Sequence, residues 1–272
     1  MNNLFFTTKT ETDYTINFPY KLVEKNDNQY FSMMEIKHYN STSKYTPHKY
    51  ILRVNGNGTY SKINTLKPVF AFTIRDDGTI IYVSKTEIRQ VSLEGKDQLL
   101  YNNFDFLVDI KEDTEGNLIV LEQNTSLLKK ISTNGTIQCI TNGEDIILPN
   151  CFVIVEEGYL IGAKKYLWFV DHSGKKNRLL QSYQDKEHSV GYNNLLLRGN
   201  RIAFTYQSDS INTPTEICEY DAENKRFYYK MTTKKFNKYK KSDFLYGFYF
   251  TKKGKLIFWT DKGFSKAIKL LI

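Results

Sequence analysis

The chain has 272 residues, 40% hydrophobic and 15% aromatic, with a formal net charge of +8 at pH 7. Such a length and apolar content support a sizeable core in one domain, and the longest apolar runs are only of strand length, which excludes a transmembrane helix. Three cysteines, Cys139, Cys151 and Cys218, are odd in number and lack C-x-x-C spacing, which argues against a disulfide framework or a structural zinc site.

In chain order, Met1–Lys9 has neither the basic start nor the apolar run of a signal peptide. Together with the unpaired cysteines, expected as buried thiols on strands, this points to a reducing, cytoplasmic setting. Leu4–Thr8 reads as a strand with no partner nearby, and Lys9–Ile16 leads to a first repeat at Asn17–Leu66. That repeat has an excursion, Tyr39–His48, between its second and third strands. Compact repeats follow at Val69–Asn102, Phe106–Asn142 and Asn150–Ser182. A fifth, Tyr192–Thr232, carries a second excursion at Gln207–Thr215, and the sixth is Tyr246–Ile272.

Two turn signals define the repeat. The first recurs at Asn28, Gly78, Gly116, Gly158, Asn200 and Gly254, at intervals of 50, 38, 42, 42 and 54 residues. The second is an apolar-x-x-apolar spacing closed by Gly or Asn: Ile51, Val54, Gly58; Ile88, Val91, Gly95; Leu128, Ile131, Gly135; Leu167, Val170, Gly174; Ile217, Tyr220, Asn224. Gly and Asn accept the positive φ that tight hairpins between twisted strands demand. A period of about 40–50 residues of strand signal indicates propeller blades. The expected fold is all-β, a six-bladed β-propeller of four antiparallel strands per blade. The N-terminal strand is expected to close the ring as the outer strand of the last blade, which removes exposed edges. Ile81, Ile119, Ile161, Ala203 and Ile257 are expected to be inaccessible, on strands buried from both faces.

In such a fold both excursions and the connector after the fifth blade fall on one face, where functional loops concentrate. The connector, Tyr229–Lys241, holds six lysines, three aromatics and no acid. Lysine rows neutralise phosphates or carboxylates and interleaved aromatics stack on bases, so an acidic protein surface and a nucleic acid are both admissible partners. A solvated loop is the plainer alternative. The candidate partner-binding residues are Lys234, Lys235, Phe236, Lys238, Tyr239, Lys240 and Lys241, with Tyr45 and His48 from the first excursion. Asp185, Glu187 and His188 could together ligate a metal or do acid–base work, although a solvated polar turn, interrupted by Lys186, is the better account of them. No nucleophile elbow, P-loop, H-E-x-x-H or EF-hand pattern is present, and Asp171-His172-Ser173-Gly174 reads as a hairpin. No catalytic residue, metal ligand or cofactor is assigned.

The Asp-Gly-Thr-Ile turn at residues 77–80, with the later Glu-Gly and Asn-Gly hairpins, resembles the six-bladed, NHL-like propeller superfamily. The resemblance is one of fold pattern and spans all the repeats. It implies either a protein- or RNA-binding module or an enzyme of the gluconolactonase or strictosidine-synthase kind. The gluconolactonase type holds a divalent metal with acidic and amide residues at the channel mouth, where only Asn150, Asn193 and Asp243 are of a suitable kind. The expected function is therefore a non-enzymatic binding module presenting a basic face to an acidic macromolecule. A small-molecule hydrolase or lyase, with or without a divalent metal, and a carbohydrate- or surface-recognition protein are the alternatives.

Overall fold

The computed structural model describes residues 7–9, 14–39, 42–181, 189–199, 201–208, 216–221, 224, 226–232, 245–250, 256–260 and 263–266. Every regular element among them is a β-strand, and no helix is long and apolar enough to cross a membrane. The strands form antiparallel meanders, each strand pairing with its sequence neighbours. They belong to two compact units, one made of residues 1–84, 88–101 and 237–272, the other of residues 85–87 and 102–236.

The first unit holds three sheets. Sheet one contains β1 (Thr7–Lys9), β2 (Tyr14–Lys25), β3 (Asn28–Tyr39), β4 (Thr42–Val54) and β5 (Tyr60–Asn64). Sheet two contains β6 (Ala71–Ile74), β7 (Ile80–Val83), β8 (Ile88–Val91) and β9 (Asp97–Tyr101). Tyr30, Ile51 and Ile63 of sheet one bury themselves against Val69, Phe72, Ile80, Tyr82 and Val91 around sheet two. The opposite face of sheet one gathers Phe31, Met33, Leu52 and Val54. The third sheet is β22 (Leu245–Phe250), β23 (Leu256–Thr260) and β24 (Gly263–Lys266). Gln29 donates to the Tyr249 hydroxyl across 2.6 Å, tying β3 to β22.

In the second unit, sheet three is β10 (Leu107–Glu112), β11 (Leu118–Glu122), β12 (Leu128–Ile131) and β13 (Ile137–Cys139). Sheet four is β14 (Cys151–Val155), β15 (Gly158–Gly162), β16 (Tyr166–Asp171) and β17 (Lys176–Gln181), and sheet five is β18 (Ser189–Arg198), β19 (Arg201–Ser208), β20 (Glu216–Asp221) and β21 (Arg226–Thr232). Sheet four is buried on both sides. Phe152, Ile161, Trp168 and Val170 meet Val108, Ile119 and Leu128 of sheet three, while Cys151, Val153, Leu160 and Leu167 meet Leu195, Ile202 and Phe204 of sheet five. Alternation along β14 sends neighbouring residues into different cores, so the strand reads as a continuous apolar run. Ile81, Ile119, Ile161 and Ala203 are fully buried, as expected; the Ile257 side chain lies outside the described ones. Replacing Ile119 by Val should cost about 1 kcal/mol in denaturant unfolding, the usual effect of one buried methyl group.

Six hairpins share one geometry, at Asn55–Thr59, Arg75–Thr79, Ser92–Lys96, Asp113–Asn117, Ser132–Thr136 and Asp171–Lys175. In each, the first residue donates its N–H to the fifth carbonyl and accepts from the N–H of a fourth-position glycine. Those glycines have φ between +81° and +88°, the conformation an L side chain resists. The β2–β3 turn uses Asn26 and Asp27 at φ 50° and 58°, a two-residue hairpin that these side chains tolerate.

Several expectations need correction. Five sheets have four strands or more and the last has three among the described residues, so five full blades are seen rather than six. The expected closing pair is not found: Thr7–Lys9 pairs with β2, Thr7 opposite Ile16 and Lys9 opposite Tyr14, and the described part of β24 pairs only with β23. A nearby strand is reached by closing a short loop, whereas pairing the termini closes one spanning nearly the whole chain, at greater entropic cost. Residues 1–6 and 267–272 lie outside the described residues. The first excursion is strand rather than loop, because β3 runs to Tyr39 and β4 begins at Thr42. Cys151 is buried and in no disulfide, but Cys139 is exposed, since β13 is an outer edge strand with all three residues exposed.

Candidate functional site

Strands β2, β3 and β4 are 12, 12 and 13 residues long, against four to six in sheet two and the first three strands of sheet three. The excess length forms a ribbon continuing sheet one past the end of β5, which pairs β4 only over Tyr50–Val54. Its register matches like with like. Ile16 lies opposite Ile36 and Ile36 opposite Tyr45, while Thr15 lies opposite Lys37 and Lys37 opposite Lys44. Such pairing of apolar with apolar and polar with polar fixes register, because a slip by one residue would exchange the faces.

The ribbon departs from the blade at two register shifts, between Pro19 and Lys21 on β2 and between Ser32 and Met34 on β3. His48 stands at this junction. Its Nε2 is 2.5 Å from Asn17 Oδ1, a bond reaching from β4 across β3 to β2, and its ring lies 4.9 Å from that of Tyr50, tilted by 34°. The Lys62 ammonium sits over the other part of this array, 4.6 Å from the Tyr50 ring centre. Glu35, opposite Asn17 in the register, is paired with Lys37 at 3.0 Å. Burial holds His48 below its ordinary pKa; Glu35 pulls the other way, and Lys62 and Lys37 reinforce the lowering. Burial, assisted by Glu35, raises Tyr50. The array therefore presents a neutral imidazole and a neutral phenol beside lysine cations.

Of the residues singled out from sequence, His48 and Tyr45 both lie on β4, Tyr45 opposite Ile36. Lys234, Lys235, Phe236, Lys238, Tyr239, Lys240 and Lys241 lie outside the described residues, as do Asp185, Glu187, His188 and Asp243. Asn150 is occupied: its Oδ1 accepts from Gln123 Nε2 at 2.9 Å. Asn193 lies on β18 opposite Thr205. Asp171-His172-Ser173-Gly174 is hairpin chemistry, with Asp171 Oδ1 accepting from the N–H and hydroxyl of Ser173 and His172 at 2.9 Å from the Glu156 carbonyl. Asn17, Tyr50 and Lys62 were missed. The alternating His48-x-Tyr50 was their only sequence signal, and the register needed to join it to Lys62 passes through an irregularity.

The buried acids of the second unit have structural tasks. Asp109 accepts from the N–H groups of Ile110 and Phe152, joining sheets three and four, and Glu122 accepts from Thr125, Lys129 and the Asp105 N–H. Among the described residues no three His, Cys, Asp or Glu side chains come together as a metal site would require.

No family model matches the chain, and no curated protein matches it. Solved structures do. A catalytically inactive virginiamycin B lyase from Staphylococcus aureus, solved with quinupristin, aligns with a TM-score of 0.63 at 12% identity, covering 96% of each chain. A chain of a nidogen–laminin complex aligns at 0.58 and 9% identity, covering 90% of this chain and 85% of that one. A protein assigned as a gluconolactonase aligns at 0.54 and 10% identity, over 85% and 82%. At these identities the likeness concerns the fold alone, and with the four-stranded antiparallel meanders it shows a β-propeller.

Proposed function

We propose that this chain is a non-enzymatic binding module whose docking surface includes the ribbon of sheet one and whose partner is an acidic macromolecule. The carrying observation is the ribbon itself: β2–β4 outgrow their blade by several residues and bring Lys62, Tyr50, His48 and Asn17 together at its base. Chain length beyond what an element needs is where function tends to be mounted. The lysine-rich connector, with Lys234, Lys235, Phe236, Lys238, Tyr239, Lys240 and Lys241, is proposed as a further contact for the acidic partner, in a reducing, cytoplasmic setting.

Affinity for poly-glutamate at low salt tests this reading. A ribbon variant carries Lys44→Glu, Lys49→Glu and Lys62→Glu, all at exposed positions. A connector variant reverses Lys234, Lys235, Lys238, Lys240 and Lys241. Each should lose about tenfold or more in affinity, as rows of cations facing a polyanion do. A control reversing the exposed Lys96, Lys165 and Lys175 should keep most of it. Equal losses in ribbon and control variants, or no loss in either designed variant, would overturn the proposal.

One observation favours a second reading, a small-molecule hydrolase or lyase. His48 and Tyr50 are held in neutral form next to Lys62 and Glu35, a set able to move protons. Since one structural neighbour is a virginiamycin B lyase, incubation with quinupristin followed by mass spectrometry separates the readings. Conversion by the wild type that His48→Ala abolishes would favour the enzyme.

A further inference from the structure

β4 offers a partly open edge. β5 pairs it over Tyr50–Val54, and the Lys49 and His48 carbonyls accept from Thr65 and Val69. From Thr42 to Pro47 the outer side of β4 has no strand partner among the described residues. A strand placed there would continue the line of β5 and complete the sheet along the ribbon. At about 3.3 Å per residue the open stretch is roughly 20 Å long, enough for six residues of extended peptide.

The charge along this edge has one sign. Between Glu35 and Asp76 the chain contains seven lysines and arginines, Lys37, Lys44, Lys49, Arg53, Lys62, Lys67 and Arg75, and no Asp or Glu. Lys44, Thr46 and Lys49 are exposed, and Lys62 is exposed on the adjoining strand. Glu35, the acid at which this stretch begins, is engaged by Lys37. Pro47, on the open stretch, removes one backbone donor, and a lysine stands three residues before it. Edge strands use such features against pairing with copies of themselves. A second copy would also bring cations against cations, which is unfavourable across paired strands.

The geometry points to strand addition: an extended, acidic segment of a partner protein pairs with Thr42–Pro47 of β4, its carboxylates answered by Lys44, Lys49 and Lys62. Main-chain hydrogen bonds supply affinity and the lysines supply selectivity for acid, as in other domains that bind by adding a strand. A single-stranded nucleic acid suits the site less well. It lacks a peptide's alternating N–H and C=O groups, and the Tyr50 ring it would stack on is already flanked by Lys62 and His48. This inference rests on the binding reading above and deepens it by naming the partner and the mode of pairing.

The test uses the full chain and an eight-residue peptide alternating Glu and Val, beside the same peptide N-methylated at every residue. Both carry the same charge, but only the first has N–H groups on an edge that can pair with β4. Affinity should fall about tenfold or more on N-methylation, because the main-chain bonds are lost while the charges stay. Amide hydrogen exchange should slow within 42–49 with the unmodified peptide and not with the methylated one. Lys44→Glu with Lys62→Glu should weaken the unmodified peptide similarly, with far-ultraviolet circular dichroism unchanged. Equal binding of the two peptides overturns strand addition yet leaves an acid-binding surface standing. Tighter binding of oligo-dT of equal charge assigns the site to nucleic acid and overturns it too. Binding of neither peptide, with the lysine variants silent towards poly-glutamate, overturns both this inference and the binding reading.

Discussion

Replacing Asp97 by Ala should cost about 3–5 kcal/mol in equilibrium unfolding, because it removes the carboxylate that a buried guanidinium is paired with. Asp97 Oδ1 accepts from Arg89 Nε at 2.8 Å, with the two side chains 4% and 10% exposed. Its Oδ2 accepts from the Tyr82 hydroxyl at 2.6 Å and from the Leu66 N–H at 2.8 Å. One carboxylate thus satisfies β7, β8 and the connector that enters sheet two. Tyr82→Phe removes only the hydroxyl and leaves the ion pair intact, so its cost should be about 1 kcal/mol. Burial raises the Tyr82 phenol far above its ordinary pKa, with the bond to Asp97 and its charge adding to the effect. The unfolded phenol ionises first, so this stabilisation is whole below pH 10.0 and is lost as pH rises beyond it. Urea unfolding of the two variants checks the ranking; a cost below about 1 kcal/mol for Asp97→Ala would mean that the ion pair is not held dry.

Gly158→Ala should be as damaging, at about 3 kcal/mol or more, combining backbone strain with overpacking. Gly158 has φ +153° and follows the tight Glu156–Glu157 turn between β14 and β15. A Cβ built there overlaps the Val170 carbonyl oxygen and comes within 2.8 Å of Asp171 Cα, both backbone atoms of the adjacent strand β16. Neither can yield as the end of a flexible side chain would. Gly95→Ala, by contrast, meets no atom within 4 Å and bears only the cost of its positive φ, so it should be the milder change. Thermal melts of the two variants, with the order reversed, would contradict this account of the β15–β16 contact.

These positions also show what the sequence makes legible. Glycines such as Gly78 and Gly116 announce their hairpins because the turn is a local problem, solved by one residue free to take positive φ. Ile119 and Ile161 announce the core because strands covered on both faces are apolar throughout. The ribbon was not legible in this way. Asn40, Ser41 and Pro47 are loop-forming by composition, yet Pro47 is tolerated in β4 because it lies beyond the reach of β5. The pairing of Thr7–Lys9 with β2 was hidden for a related reason. A strand segment carries no mark of its partner, and the nearer β2 competes with the far end of the chain on loop entropy. Asn17, His48, Tyr50 and Lys62 come from three separate strands, two of them offset by register shifts, so no spacing in the sequence connects them.

The central claim, that the lysines of the ribbon meet an acidic partner, is tested most directly by the salt dependence of binding. The slope of log affinity against log salt reports how many counterion-releasing contacts a surface makes. It should be measured for poly-glutamate with the wild type and with the Lys44, Lys49 and Lys62 charge-reversal variant. The wild type should lose affinity steeply as salt rises, and the variant should show a distinctly shallower slope at every salt concentration where it still binds. Parallel slopes for the two proteins would contradict the claim and return these lysines to the solvated surface.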